Sequence, residues 1–124
     1  IENHISASAG LAAFTQGPTQ HLEHILPKRP DSTWTHIDSD RHDEFLYKIG
    51  NLVALEADIN RHIKNKSFSF KQTNPRNKDY AHSTLRLSRD ISAHLESGSW
   101  TFNSITERQE HLANTYILDV WPLA

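Results

Sequence analysis

Residues 19–27 of the chain read TQHLEHILP and contain its clearest strand signal. Apolar and polar residues alternate here over several positions, and Pro27 cannot donate the backbone hydrogen bond that a longer strand would need. The pattern predicts a strand of about six residues that stops at Pro27, with Glu23 and His24 at its exposed end. His21 lies three positions before His24, so the two imidazoles face opposite sides of the strand and make a poor chelating pair.

Short helices and a second strand are predicted next along the chain. Residues 40–49 repeat apolar side chains at intervals of three to four positions and end before a glycine, which predicts a short helix. Residues 51–55 form a compact apolar run suited to a second strand, and residues 56–64 have the pattern of another helix. Trp34 and Ile37 lie in the preceding loop, and we expect them to anchor that loop to the core.

The two ends of the chain are also predicted to be helical. Residues 2–15 suit a helix, whereas residues 68–80 contain Pro75 and must form a broken or short one. Two packing helices are predicted from apolar stripes. The first stripe contains Leu87, Ile91 and Leu95, and the second runs from Phe102 to Val120. The sequence therefore predicts an α+β fold that is mostly helical.

The composition is that of one soluble domain spanning residues 1–124. Hydrophobic residues make up 36% and charged residues 23% of the chain, and there is no cysteine, which excludes disulfides, thiolate zinc sites and cysteine nucleophiles. No apolar run approaches the roughly 20 residues of a membrane span, and no signal peptide is evident, so we expect a cytoplasmic protein. Because the chain begins at Ile1 rather than Met, we expect it to be a domain of a longer protein.

Positive charge is concentrated in one stretch of the chain. The net charge is −2, but residues 61–78 hold six of the 13 Lys and Arg residues and none of the 15 Asp and Glu residues. The six are Arg61, Lys64, Lys66, Lys71, Arg76 and Lys78. Such a cluster is compatible with a solvated face and with a surface that contacts phosphate groups.

Among nine histidines, His24 is distinguished by its neighbours. Glu23 precedes it, Asn51 begins the second predicted strand, and Asn60 follows nine residues later. This order resembles the HNH nucleases of the His-Me finger class. More specifically, the chain resembles the C-terminal nuclease domains of GmrSD-like modification-dependent (type IV) restriction enzymes, a group that includes SspE. That resemblance also uses the ordered set Ile25, Leu26, Pro27, Ile49, Gly50, Leu52, Asn65, Lys66, Phe68, Lys71, Tyr80, Ser83, Trp100, Ile105, Arg108 and Trp121.

The resemblance implies a ββα-metal core with additional packing helices. His24 would be the general base, since an imidazole that is neutral near pH 7 suits proton abstraction from water. Glu23 and Asn60 would hold one divalent ion, Mg²⁺ or Mn²⁺, because such ions prefer hard oxygen ligands. Asn51 is expected to brace the loop that orients His24, with a plain turn role as the alternative. Many HNH enzymes have Asp and His where this chain has Glu23 and Asn60. Both residues here can donate oxygen to a metal, so we expect these differences to affect the affinity for metal rather than the mechanism.

The resemblance also implies where DNA binds. The residues expected to contact DNA are Lys64, Asn65, Lys66 and Lys71, which follow the predicted metal helix. His62 is a rival to Asn60 as a metal ligand. Arg108 is expected either in a buried ion pair or on DNA.

Together with these features, the resemblance implies a metal-dependent DNA endonuclease domain of a bacterial restriction and phage-defence protein. The resemblance implies an N-terminal domain of the same polypeptide that senses modified DNA and hydrolyses nucleotide, and homo-oligomerisation stays open. Two other functions remain as alternatives: a nucleic-acid-binding module whose metal site has decayed, and an RNA-cutting toxin.

Overall fold

The two predicted strands pair with each other in the computed structural model, which describes residues 19–117. Strand β1 (Gln20–His24) runs antiparallel to β2 (Leu52–Glu56), and they form the single sheet of this part of the chain. β2 begins one residue later than predicted, because Asn51 is the last residue of the 3₁₀ turn Ile49–Asn51.

The described part of the chain also contains five short α-helices. They are α1 (His42–Leu46), α2 (Ala57–Ile63), α3 (Phe68–Gln72), α4 (Arg86–Arg89) and α5 (Phe102–Leu112). Further 3₁₀ turns occupy Tyr80–His82 and Ile91–His94, and a π-helical turn, Ala113–Ile117, follows α5. Helical residues outnumber strand residues but make up slightly less than half of the described residues, which confirms the α+β class. None of the helices between residues 19 and 117 has the length and apolar character needed to cross a membrane.

Local signals in the sequence account for several helix boundaries. α2 lies within the predicted range 56–64. α3 ends at Gln72, before Pro75, as expected for a residue that cannot continue a helix. α5 begins at a capping box, in which Thr101 accepts from the backbone of Ser104 and the Ser104 hydroxyl accepts from the backbone of Thr101.

The apolar stripe over residues 87–95 does not form one helix, which corrects that prediction. α4 ends at Arg89, and after Asp90 the chain continues as a 3₁₀ turn. Ile91 is nevertheless fully buried in the core, and Leu87 and Leu95 pack against that core. The helix predicted for residues 2–15 lies outside the described residues.

The core contains the aromatic and aliphatic side chains that the sequence assigns to it. Trp100 and Ile105 are fully buried in one cluster with residues of β2 and with the two residues that follow β1, Ile25 and Leu26. Trp34 is also buried, with Ile37 packed against the same cluster, and the Trp34 indole donates to the Lys66 carbonyl at 2.8 Å. The prediction that Trp34 and Ile37 anchor their loop is therefore confirmed.

Gly50 lies where α5 approaches the segment before β2 most closely. A Cβ atom at Gly50 would lie 2.0 Å from the Ile105 carbonyl oxygen, so a larger residue does not fit. Arg108 of α5 is buried and donates from Nη1 to the carbonyls of Gly50 at 2.9 Å and Leu52 at 3.0 Å. These contacts fix the backbone on both sides of Asn51.

Candidate active site

Glu23 enters the interior from β1 and is only 5% exposed, which corrects the prediction that its side chain lies at an exposed end of the strand. Its Oε2 accepts from the Lys71 ammonium at 2.8 Å and from the Tyr80 hydroxyl at 2.5 Å, and its Oε1 accepts from Asn60 Nδ2 at 2.9 Å. Burial, together with the Glu23 charge, raises the pKa of Tyr80 well above its usual value, so the phenol stays a hydrogen-bond donor. Each oxygen of this buried carboxylate is thus satisfied, as burial of a charge requires.

Lys71 lies inside the domain rather than on its surface. The residue is 0% exposed, and besides Glu23 its ammonium donates to the carbonyls of His24 at 3.0 Å and Ile25 at 2.9 Å. The surface position assumed for Lys71 in the sequence analysis is therefore corrected. A buried lysine needs a charge partner and acceptors for its three N–H groups, and residues 23–25 supply them.

Asn51 braces the backbone that follows β1. Its Oδ1 accepts from the Leu26 backbone N–H at 2.8 Å and from the Trp100 indole at 3.1 Å. Its Nδ2 donates to the carbonyls of Leu26 at 3.0 Å and Leu46 at 3.1 Å. The Asn51 amide therefore holds the segment just after His24 with all its hydrogen-bonding groups used, which is the geometry of a positioning residue.

His24 ends β1 with its ring beside a cleft. The ring meets the exposed ring of Tyr47 edge-on, with centroids 5.6 Å apart, and Nε2 is buried without a hydrogen bond to any described residue. Burial, with smaller contributions from Lys28 and Lys71, lowers the pKa of His24 from 6.5 to about 4. The imidazole is therefore neutral at physiological pH, which is the form that can accept a proton.

The cleft beside His24 is open and has a volume of about 760 Å³. The residues that line it are Leu22, Glu23, His24, Pro27, Lys28, Arg29, Asn60, Lys64 and Asn65. Three of these side chains are cationic, and the charge of the one carboxylate among these lining residues is matched by Lys71. An excess of positive charge around a neutral imidazole suits a phosphodiester.

Lys64 has an unusual backbone conformation at the edge of this cleft. Its φ is +43° and its ψ is −123°, which non-glycine residues seldom adopt and which costs on the order of 1–3 kcal/mol. It follows the last residue of α2, and its N–H donates to the Asn60 carbonyl at 3.1 Å. The next side chain, Asn65, donates to the Arg29 carbonyl at 2.8 Å. This turn therefore connects Lys64 to the loop that carries Lys28 and Arg29, the other two cationic residues of the cleft.

Comparison with known families identifies the chain. A family model described as the C-terminal domain of GmrSD restriction endonucleases matches residues 2–115. The chain belongs to this family. Searches of curated proteins and of solved structures found no match. The family match confirms the resemblance to GmrSD C-terminal domains and indicates a domain of a restriction endonuclease.

The GmrSD C-terminal domain brings most of the predicted site residues together. Glu23, His24, Asn60, Lys64 and Asn65 line one cleft, although they come from two segments that are far apart in the sequence. Asn51 lies directly behind this group, as expected of a residue that braces the loop. The fully buried side chain of Lys71 cannot reach DNA in this conformation.

Three other candidates lie away from the lining residues. Lys66 is exposed, but its side chain does not line the cleft. His62 packs its ring against Phe70 at 5.3 Å and is not part of the lining either, so the site does not favour it over Asn60. Arg108 is buried against backbone carbonyls of the turn before β2, so it is not presented to DNA.

Lys28 and Arg29 were missed in the sequence analysis. They form two of the three cationic groups of the cleft, and Lys28 also contributes to the low pKa of His24. A usable signal was present, because they are adjacent basic residues between Pro27 and Pro30, directly after the strand that carries His24. A loop of this kind keeps its charges near the end of the strand.

Proposed function

We propose that this GmrSD C-terminal domain is a metal-dependent DNA endonuclease in which His24 is the general base. The observation that carries the proposal is the neutral His24 imidazole in a cation-lined cleft, with Nε2 making no hydrogen bond to the described residues. Such a nitrogen can take a proton from water as that water attacks phosphorus. Lys28, Arg29 and Lys64 would bind the phosphates on either side of the scissile bond.

Glu23 and Asn60 would hold the divalent ion. Among the described residues no three His, Asp or Glu side chains form a metal-binding cluster, so the proposed ligands are one carboxylate and one amide. The 2.9 Å between Glu23 Oε1 and Asn60 Nδ2 is close to the roughly 3.0 Å that separates neighbouring ligands of Mg²⁺. Half a turn of the amide exchanges Nδ2 for Oδ1, so the pair fits a hard cation. When bound, the ion would neutralise charge that grows on the phosphate and the departing oxygen.

The charge of the domain supports a division of labour within a longer protein. The net charge is only −2, and the cationic residues around the cleft are few, so the affinity of this domain for DNA should be modest. We propose that an N-terminal domain of the same polypeptide selects the target DNA and brings it to this cleft.

A plasmid-nicking assay tests the proposed function. The 124-residue chain should convert supercoiled plasmid to open circles with Mg²⁺ or Mn²⁺ and should leave it intact with EDTA. DNA binding without cutting under any metal would contradict the proposal and favour a nucleic-acid-binding module. Cutting of RNA but not DNA would contradict it in favour of an RNA-cutting toxin.

If the cationic cleft binds DNA, its lysine and arginine residues should contribute to DNA affinity. Replacing Lys28, Arg29 or Lys64 singly with alanine should weaken duplex binding roughly three- to tenfold at low salt. Each change should also reduce the slope of log K against log salt by about 1, because one phosphate contact is lost. Fluorescence anisotropy over a salt series measures both quantities.

Arg76→Ala is the matched control for these changes. Arg76 belongs to the basic stretch of the sequence but does not line the cleft. The control should bind DNA like the wild type. Equal losses in Arg76→Ala and in the three cleft variants would mean that DNA does not bind at the cleft.

A further inference from the structure

Lys71 places its ammonium against the carboxylate that the proposed function assigns to metal binding. It comes from α3 and reaches Glu23 across 48 positions of sequence, with its ammonium 2.8 Å from Oε2. All three of its N–H groups have acceptors on residues 23–25. A lysine enclosed in this way cannot swing out to solvent without breaking every one of these contacts.

The ammonium and Asn60 use different oxygens of Glu23. Lys71 and Tyr80 both donate to Oε2, whereas Oε1 accepts from Asn60. Asn60 also lines the cleft, so Oε1 is the oxygen on the side where a hydrated ion can arrive. A cation on Oε1 would therefore share one carboxylate with the fixed ammonium on Oε2, and like charges at such short range repel strongly in a buried site.

We propose that Lys71 is a built-in counter-ion that weakens the affinity of Glu23 for divalent metal. Its charge compensates the buried carboxylate before metal arrives, so the end of β1 keeps its shape in the metal-free domain. The same charge opposes a divalent ion on Oε1, so the ion binds weakly until DNA phosphate adds negative charge to the cleft. Lys71 is thus a positioning residue. This inference rests on the proposed function, because it takes Glu23 as a metal ligand.

Metal binding without DNA tests the inference. Mn²⁺ is titrated into the 124-residue chain and into Lys71→Met by calorimetry, and Lys71→Met should bind Mn²⁺ at least about tenfold more tightly. Tyr80→Phe is the matched control, because it removes a neighbouring hydrogen bond to the same oxygen without changing charge. Its Mn²⁺ affinity should stay within about threefold of the wild type. Adding Glu23→Gln to Lys71→Met should abolish the tight binding.

The Mn²⁺ affinity of Lys71→Met decides whether Lys71 weakens metal binding. Unchanged or weaker Mn²⁺ binding by Lys71→Met overturns it, and so does an absence of binding by both proteins at millimolar Mn²⁺. If Lys71→Met is unfolded in chelator, circular dichroism during a Mn²⁺ titration replaces calorimetry. Refolding with Mn²⁺ supports the inference, and failure to refold overturns it. Plasmid nicking by the wild type is scored separately, so an inactive domain with tighter-binding Lys71→Met would contradict the proposed function alone.

Discussion

Replacing His24 with alanine should lower the rate of DNA cleavage by about 10²–10⁴-fold, the range typical for loss of a general base. The physical reason is that alanine removes the neutral imidazole nitrogen that would accept the proton of the attacking water. DNA affinity should change less than about twofold, since the three cationic side chains of the cleft remain. Single-turnover cleavage, with affinity measured in parallel, separates the two effects.

His21→Ala is the matched control for this prediction. His21 lies on the same strand, three positions earlier, and does not line the cleft. It should cleave DNA at nearly the wild-type rate. If both histidine variants lose the same fraction of activity, a general disturbance of β1 rather than loss of a base would explain the result.

Replacing Asn51 with alanine should cost about 3–5 kcal/mol of unfolding free energy, since each buried group left without a partner costs about 1–3 kcal/mol. The groups that lose a hydrogen bond are the Leu26 N–H and carbonyl, the Leu46 carbonyl and the Trp100 indole. For a domain of this size the melting temperature should fall by roughly 10 °C or more. Urea denaturation of the two proteins gives the free-energy difference directly.

The control for Asn51 is Asn65→Ala. Asn65 also donates to a backbone carbonyl, that of Arg29, but this bond is exposed to solvent, so its loss should cost less than about 1 kcal/mol. Similar losses of stability in the two variants would contradict the bracing role of Asn51, because water can replace the exposed bond but not the buried ones.

The strands and helices nearest the site could be predicted because their signals are local. The alternation that stops at Pro27 and the apolar run after Asn51 each occupy only a few residues, and both strands form within one residue or two of the predicted bounds. The spacing from Glu23 and His24 to Asn60 predicted that these three residues share one site, and in the structure all three line the same cleft. Local sequence patterns were therefore sufficient to predict the two strands and the residues that meet at the cleft.

The contacts around Glu23 could not be predicted from such patterns. Lys71 and Tyr80 approach it from 48 and 57 positions away, and no periodicity links these residues. Lys71 was assigned to the surface because lysine is seldom fully buried unless it is paired, and its partner is visible only in three dimensions. The break at Asp90 escaped prediction for a different reason, since apolar spacing reports which side of a segment is buried and not whether the helix is continuous.

Mn²⁺-dependent plasmid nicking by the wild type and by His24→Ala tests whether His24 is the general base. Both proteins are assayed at equal concentration under conditions where both bind DNA. The wild type should produce open circles, whereas His24→Ala should produce none over the same time. Equal nicking by the two proteins, or none by the wild type over a range of metals and concentrations, would contradict the assignment of His24 as the base.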